Sequence, residues 1–397
     1  MSIGFLLKEG DFLKFNTIGI ICEYNPFHFG HKYHISKTKE LTGCQNIVCI
    51  MSGSMVQRGE CAIFNKWQRA SAAIQAGVDL VVELPCYYVL QSADIFALGG
   101  IKLLNGIGIA DGISFGCECG DINILKNIAS LTSDDNTIYN KHLKELMKQG
   151  LGYPQASQEA LYRCKPEYSD VVSKPNNTLG ISYLKAIKKT NSKLEAICIK
   201  RDNDYHGEFS CDGFASATHI RNMILSGNEY KSYCIDYSEC DIHNIKNAES
   251  FILGYLRQLD PTTAKITKGY EDGIDNLVIQ SSRKACTIEE LISICSGKRY
   301  TQHRIKRYIM SLILGINYEA EPNYIRVLAM SSKGKALIKR IKETTDFDII
   351  VKTADYKQKN AMFETDIKAT DFASLCSSNV NSRSAGMDFT TSPYILK

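Results

Sequence analysis

Short apolar runs alternate with amphipathic stretches through the first half of the chain. The apolar runs cover residues 17–22, 46–51, 79–85, 111–116 and 194–199. Their length and their β-branched residues are typical of strands buried in a parallel sheet. The predicted helices between them cover residues 31–41, 64–77 and 92–106. This alternation predicts an α/β fold with a doubly wound, Rossmann-like parallel sheet.

Helical periodicity dominates after about residue 225, where the strand signal fades. The clearest helical segments are residues 248–259, 287–295 and 302–316. Their apolar residues recur at helical spacing, which indicates amphipathic helices. We therefore divide the chain into three parts: an N-terminal extension (1–16), a sheet domain (17–225) and a mainly helical domain (226–397).

Composition and charge exclude some classes of protein. The net charge of the 397 residues is only +4, too mild to identify a nucleic-acid-binding protein by itself. The first 16 residues lack a secretory pattern, and no apolar run has the length of a membrane span. The 15 cysteines are therefore interpreted as reduced thiols of a cytoplasmic protein without membrane attachment. Cys117 and Cys119 have no further ligands nearby, so no metal site is predicted.

The segment EYNPFHFGHKYH, residues 23–34, contains the pattern H-x-G-H between a predicted strand and a predicted helix. Gly30 leaves room for an anion, and His31 stands in the first helical turn, where free N–H groups and the helix dipole favour phosphate. The rings of His28 and His31 can donate hydrogen bonds to a leaving pyrophosphate. The alternative is a structural turn with exposed histidines. The position at the carboxyl end of a buried strand favours the phosphate site.

The segment SATHIR, residues 216–221, is a second candidate phosphate-binding motif. Ser216 and Thr218 suit a helix N-terminus, and Arg221 can neutralise phosphate charge. Alone, the segment is better explained as an ordinary N-cap with a surface arginine. Together with the histidine turn, it favours binding of the terminal phosphates of a nucleotide.

Five segments, in this order, resemble the bacterial tRNA(Met) cytidine acetate ligase family, whose members have an H-x-G-H nucleotidyltransferase core. The segments are GIICEYNPFHFGHKYH, MSGSMVQRGECAIFNKWQRASAAIQAGVDLVVELP, SKPNNTLGISYLKAI, SATHIR and KRYTQHRIKR. The resemblance covers about residues 17–370. It implies that ATP activates acetate as acetyl-adenylate with release of pyrophosphate, and that Mg²⁺ assists. The acetyl group would then pass to the wobble cytidine of elongator tRNA(Met), giving N4-acetylcytidine.

The resemblance also implies which residues form the site. The ATP-binding loop would comprise Ile21, Cys22, Glu23, Tyr24, Asn25, Pro26, Phe27, His28, Phe29, Gly30, His31, Lys32, Tyr33 and His34, with His28 and His31 catalytic. Further nucleotide contacts would come from Gly116, Asn176, Arg201, Thr218 and Arg221. Arg201 matches an arginine before a Tyr-His pair, here Tyr205-His206, although Lys200 could fill the same role. Phe29 stands where asparagine is common, and Cys117 stands where serine is common.

The loop of residues 52–60 follows the second predicted strand and contains Arg58 and Glu60. One interpretation is a wall or lid over acetate and the target base, and the alternative is a salt-bridged surface loop. Because loops at the carboxyl edge of such a sheet are often functional, we favour the wall.

Basic residues are concentrated between residues 298 and 342. This stretch has eleven lysines and arginines, but only Glu319 and Glu321 as acids. Four tyrosines lie among them, at positions 300, 308, 318 and 324. We predict tRNA contacts with stacking tyrosines. The predicted tRNA-binding residues are Lys298, Arg299, Arg304, Lys306 and Arg307. The alternative is a solvated helix face.

Two other functions stay open at this stage. A small-molecule adenylyltransferase would share the H-x-G-H turn but would not need a basic helical region. A non-catalytic RNA-binding protein could retain a degenerate nucleotide fold, although the intact histidine turn and SATHIR segment argue against decay.

Overall fold

A computed structural model describes residues 15–133, 136–201 and 215–396. The N-terminal extension of residues 1–16 therefore lies almost wholly outside the described residues. The strands are β1 (Thr17–Cys22), β2 (Asn46–Ser52), β3 (Met55–Val56), β4 (Glu60–Cys61), β5 (Leu80–Leu84), β6 (Gly112–Cys117), β7 (Glu195–Lys200), β8 (Tyr324–Met330), β9 (Asp348–Ile350) and β10 (Tyr394–Ile395).

Eighteen α-helices are present in the described residues. Those of the first half are α1 (Phe29–Thr42), α2 (Lys66–Gln75), α3 (Cys86–Val89), α4 (Ala93–Ile107), α5 (Ile122–Leu131), α6 (Thr137–Lys148), α7 (Tyr153–Cys164), α8 (Ser169–Val172), α9 (Pro175–Lys189) and α10 (Ala217–Leu225). Those of the second half are α11 (Glu249–Arg257), α12 (Pro261–Ile266), α13 (Ile274–Lys284), α14 (Ile288–Cys295), α15 (Gln302–Leu314), α16 (Ser332–Thr344), α17 (Ala361–Leu375) and α18 (Met387–Thr390). No described helix is both long enough and apolar enough to span a bilayer.

One sheet organises the molecule, with strand order β10-β8-β5-β2-β1-β6-β7 and β9 beside β8. Strands β5, β2, β1, β6 and β7 are parallel, as the alternating pattern predicts. Successive residues of β1 and β2 face opposite sides: Ile18 and Ile47 pack in one apolar cluster, and Ile21 and Val48 pack in the other. Because both faces of β1 and β2 are covered, these two strands are mainly apolar. The predicted doubly wound α/β fold is confirmed.

The second half of the chain also contributes strands, which the sequence analysis did not predict. Strand β8 pairs antiparallel with β5, while β9 and β10 run parallel to β8. The run YIRVLAM is short and contains Arg326, so its pattern does not separate a strand from a helix. The boundary predicted near residue 225 therefore does not separate the sheet from the rest of the chain.

Candidate active site

A cavity of about 480 Å³ opens at the carboxyl edge of the parallel strands. Its walls come from the turn after β1, the β3–β4 hairpin, the end of β6, and the first residues of α9 and α10. This is the edge where doubly wound sheets bind ligands, and the volume suits a nucleotide-sized molecule.

His28 and His31 hold each other in a fixed geometry at the start of α1. The Nδ1 atom of His28 accepts a hydrogen bond from the Gly30 amide at 3.1 Å. The Nδ1 atom of His31 accepts from the His28 amide at 3.2 Å, and the two rings stack with centroids 3.7 Å apart. A neutral ring that accepts at Nδ1 carries its proton on Nε2. Each imidazole therefore keeps one N–H donor that the turn does not use.

Gly30 is required by the close approach of the ring that caps the helix. A Cβ at this position would lie 2.9 Å from Cε1 of His28. The glycine of the H-x-G-H pattern therefore leaves room for the first histidine as well as for an incoming anion.

The histidines are neutral at physiological pH. Burial, with a smaller contribution from nearby Arg201, lowers the pKa of His28 to about 3 and that of His34 to about 4. Burial and the neighbouring His28 lower the pKa of His31 well below its ordinary value. Neutral donors can stabilise a phosphate without first binding a proton from solvent.

His34 lies one helical turn further along α1. Its Nε2 atom is 3.0 Å from Oγ of Ser114 in β6, which in turn is 2.8 Å from Oγ1 of Thr38. Thr38 donates to the His34 carbonyl at 2.8 Å. Because the Thr38 hydroxyl donates to the His34 carbonyl, the Ser114 hydroxyl donates to Thr38, and the Nε2–H group of His34 donates to Ser114. The Nδ1 atom of His34 then carries no proton and can accept a hydrogen bond from a ligand.

A second corner of the cavity lies beyond β6 and β7. The Asn176 side-chain amide donates to Oε1 of Glu118 at 2.7 Å, and its Oδ1 accepts from Arg201 at 3.1 Å. The Asn177 amide donates to Oε2 of Glu118 at 2.8 Å. A Cβ on Gly116 would lie 2.9 Å from Cδ of Arg201. The structure therefore brings Gly116, Asn176 and Arg201 together. Residue type and spacing did not mark Glu118 as the residue that orients Asn176.

A third corner is formed at the N-terminus of α10. The Oγ1 atom of Thr218 accepts from Arg58 at 3.2 Å and from Arg221 at 3.1 Å. Arg221 also donates to the Asn25 carbonyl at 2.7 Å, which ties α10 to the turn after β1. Ser216 caps the helix by accepting from the His219 amide at 3.2 Å. Two guanidinium groups thus flank a helix N-terminus, an arrangement suited to phosphate.

Arg69, on the helix that follows the 52–60 loop, is a further positioning residue. Its guanidinium group is fully buried and donates to the carbonyls of Glu23 at 2.5 Å, Ser52 at 3.1 Å and Gly53. These carbonyls lie at the carboxyl ends of β1 and β2. Arg69 therefore joins the two turns that shape the cavity, a contact that only the folded chain reveals.

Most of the predicted nucleotide-binding residues line the main cavity. These are Ile21, Cys22, Glu23, Tyr24, Asn25, His28, His31, His34, Gly116, Asn176, Arg201, Thr218 and Arg221. Gly30 and Tyr33 line a smaller recess beside it, together with Lys200. Pro26, Phe27, Phe29 and Lys32 line neither space. Phe27 is a core residue because its ring packs against Tyr24 and His31. The predicted Tyr205-His206 pair lies outside the described residues.

The β3–β4 hairpin forms the wall of the cavity on the β2 side. Its Gln57 amide donates to Oε1 of Glu23 at 2.6 Å. Arg58 faces the cavity, whereas Glu60 forms an ion pair with Lys306 of α15. The loop thus combines features of both interpretations considered above, with one residue at the cavity and one in a salt bridge.

The hairpin packs tightly against α15. Gly59 has a φ of +79°, and a Cβ there would overlap the backbone of Lys306 and Arg307. Arg307 also donates to the Gln57 carbonyl at 3.2 Å. The basic helix and the cavity wall are therefore in direct contact.

The basic stretch has fewer free charges than its sequence indicates. Glu271 pairs with Arg304 at 2.5 Å and with Arg299 at 3.7 Å, while Lys306 pairs with Glu60. Lys298 is exposed and has no ion pair among the described residues.

The prediction of stacking tyrosines is wrong for three of the four residues. Tyr300, Tyr308 and Tyr324 are at most 5% exposed, and Tyr318 stacks on Tyr87. The rings of Tyr300, Tyr308 and Tyr324 are buried in the core, so they cannot stack on RNA bases. An alternation of basic and aromatic residues does not by itself show which residues face solvent.

The fold and the histidine turn define a nucleotidyltransferase of the H-x-G-H class. In agreement, residues 15–388 match the family model described as HIGH Nucleotidyl Transferase. The tRNA(Met) cytidine acetate ligase of Clostridium perfringens (strain SM101 / Type A) is 36% identical over 407 residues, which covers 96% of this chain and 100% of that protein. The protein of the same name from Thermoanaerobacter sp. (strain X514) is 38% identical over 397 residues, covering 94% and 98% respectively.

A solved structure agrees in fold over almost the whole chain. Thermotoga maritima TmcAL bound with alpha-thio ATP has a TM-score of 0.87 and 27% sequence identity, covering 96% of this chain and 99% of that one. The chain therefore belongs to the tRNA(Met) cytidine acetate ligase family.

Proposed function

We propose that this protein forms acetyl-adenylate from acetate and ATP and transfers the acetyl group to the wobble cytidine of elongator tRNA(Met). The observation that carries the proposal is the cavity in which two neutral imidazoles and the guanidinium groups of Arg201 and Arg221 surround a helix N-terminus. Its relatives carry the name of this reaction. ATP and tRNA are cytoplasmic, so we propose that the reaction takes place there.

In the first step, an acetate oxygen attacks the α-phosphorus of ATP, and pyrophosphate leaves. We assign the Nε2–H groups of His28 and His31 to the phosphate oxygens at the start of α1. Thr218 and Arg221 would hold the departing pyrophosphate. Adenosine would lie toward Gly116 and Asn176. The protein then acts by positioning and charge stabilisation, without a covalent intermediate.

In the second step, the cytosine amine attacks the acetyl carbonyl, a C–N bond forms, and AMP leaves with the electrons of the broken C–O bond. The base must be unstacked from the tRNA to enter the cavity. We assign Lys298, Arg299, Arg304, Lys306 and Arg307 to the RNA backbone. The contact between α15 and the β3–β4 hairpin supports this assignment, because it places these residues beside the cavity wall.

Mg²⁺ is proposed to arrive with the triphosphate. Among the described residues, no group of three or more histidine, cysteine, aspartate or glutamate side chains could hold a metal ion. Phosphate oxygens and water are common Mg²⁺ ligands, so the protein does not need to supply a cage.

The test uses the full chain with ATP and labelled acetate. Acetate-dependent exchange of pyrophosphate into ATP without tRNA would report the first step. Mass spectrometry of tRNA nucleosides would report N4-acetylcytidine. A small-molecule adenylyltransferase would show no acetate-dependent exchange, and a non-catalytic RNA-binding protein would show neither activity. Either of these results would contradict the proposal.

A further inference from the structure

Two carboxylates line the cavity in the described part of the chain, and they differ in how many of their oxygens accept hydrogen bonds from the protein. Glu118 accepts hydrogen bonds at both of its oxygens, from Asn176 and Asn177. Glu23 accepts at Oε1 from the Gln57 amide, and no described group donates to its Oε2. Glu23 therefore provides the carboxylate oxygen that remains available to a substrate in this cavity.

The position of Glu23 is fixed by its surroundings. Its carbonyl accepts from buried Arg69 at 2.5 Å, and the hairpin amide holds Oε1 at 2.6 Å. The next residue, Tyr24, has a φ of +48°, a conformation that residues with a Cβ rarely adopt. Such backbone outliers occur often at functional sites, where the surrounding structure enforces them.

The electrostatic surroundings favour proton transfer over metal binding at Glu23. Burial raises the pKa of its carboxyl group, although Arg221, Arg69 and Arg58 act in the opposite direction. A carboxylate with a raised pKa is a better proton acceptor near neutral pH than an ordinary one. Three guanidinium groups close to one carboxylate oppose the approach of a divalent cation.

The strand order places Glu23 between the phosphate-binding turn and the wall on the β2 side. Gly116, Asn176 and Arg201 lie on the opposite side of the turn, at the carboxyl ends of β6 and β7 and the start of α9. If adenosine lies there and the phosphates lie over α1, the acetyl group extends toward Glu23 and the hairpin. The hairpin also contacts basic α15, so an RNA base would enter from this side.

We propose that Glu23 is the general base of acetyl transfer and touches the attacking amine. This inference rests on the proposed function. As the amine nitrogen bonds to the acetyl carbon and AMP departs with the electrons of the C–O bond, one proton leaves that nitrogen. Oε2 of Glu23 receives it and later releases it to solvent, so no further reactant is needed.

The test separates the two steps in Glu23→Gln. The Gln amide oxygen can still accept from the Gln57 amide, so the hairpin contact is retained. Measurable acetate-dependent pyrophosphate exchange should show that the variant is folded, and any loss of exchange should be much smaller than the loss of transfer, although Glu23 lines the cavity. Single-turnover transfer from preformed acetyl-adenylate to tRNA should fall about 100-fold or more, the usual contribution of a general base. The wild-type transfer rate should fall at low pH with one ionisation that is missing in the variant.

Glu23→Asp gives a second measurement, because it keeps a carboxylate on a shorter side chain. We expect partial transfer activity with the ionisation retained. Unchanged transfer in Glu23→Gln would overturn the assignment. Parallel loss of exchange and transfer in both variants would also overturn it and would indicate a role in adenylation or folding. Absence of exchange in the wild type would instead refute the proposed function.

Discussion

Two regions of this molecule concentrate charged groups, one buried and one open to solvent, and the balance of charge differs between them. Around Lys66, the Nζ atom lies 2.9 Å from Glu83 and 2.9 Å from Asp388, while Arg326 lies 3.6 Å from Asp388. All four side chains are at most 2% exposed. This cluster joins α2, β5, β8 and α18, so acids and bases from distant parts of the chain compensate one another.

The cavity contains an excess of one sign. Arg58, Arg201 and Arg221 face the open space beside neutral His28 and His31, and the carboxylates there are Glu23 and Glu118 among the described residues. The three arginines and two glutamates have a combined formal charge of +1. Three of the four glutamate oxygens already accept hydrogen bonds from protein groups. The two cations and two anions of the buried cluster have a formal charge of zero, whereas an unbalanced cavity favours an anionic ligand. This difference distinguishes structural charge from functional charge within one sheet.

Breaking the buried cluster should have the largest effect on stability. In Lys66→Met, Glu83 and Asp388 lose their shared cation, and removing one partner of a buried pair costs about 3–5 kcal/mol of unfolding free energy. Urea denaturation would measure the loss. Lys37→Met is the matched control, because Lys37 pairs with Glu40 on an exposed helix face and its removal should change stability little. Equal effects of the two substitutions would remove the distinction between the buried cluster and the surface.

Removing one cavity donor should affect catalysis more than folding. His31→Ala loses an N–H group that we assign to phosphate, and we expect acetate-dependent pyrophosphate exchange to fall about 100- to 1,000-fold. Circular dichroism should show a folded protein. His142→Ala on α6 is the control and should retain exchange, since His142 is distant in sequence from the site and does not line the cavity. Retained exchange in His31→Ala would refute the role of that ring.

Reversing two exposed basic charges should weaken tRNA binding without affecting the first step of the reaction. In Lys298→Glu/Arg299→Glu, we expect weaker tRNA binding, and the slope of log affinity against log salt should decrease by about one for each phosphate that is no longer neutralised. Pyrophosphate exchange should be unchanged. The double variant Lys144→Glu/Lys148→Glu, on the exposed face of α6, provides a control of equal charge. Equal weakening by both variants would indicate non-specific attraction rather than a binding surface.

Lowering the pH should reduce the unfolding free energy of the protein, because the buried cavity histidines resist protonation in the folded state. The folded-state pKa of His34 is lowered to about 4, so between about pH 6.5 and pH 4 the unfolded chain binds more protons than the folded one. Stability must then fall as pH falls, by at most about 1.4 kcal/mol per pH unit for this ring. His34→Gln can still donate to Ser114 but does not titrate. Urea titrations over this pH range should show a shallower decline for the variant, and identical slopes would contradict the assignment.

The sequence indicates the parts of the site that are local in the chain. His28, Gly30 and His31 interact within a few residues, so their pattern predicts a phosphate-binding turn directly. Arg69 and Glu118 act through contacts with distant segments, and neither residue type nor spacing marks them. Strand β8 was missed for the same reason, because its partner β5 lies far away in the sequence. Three of the four tyrosines were misassigned because burial depends on the folded neighbours.

The close packing at Gly59 has a consequence for variation of the sequence. The left-handed backbone and the adjoining backbone of α15 each exclude a side chain at this position. A library randomised there and selected for activity should return glycine in nearly every survivor. The neighbouring Arg58 has no such backbone constraint, so a substitution there should act through its hydrogen bond to Thr218 rather than through packing.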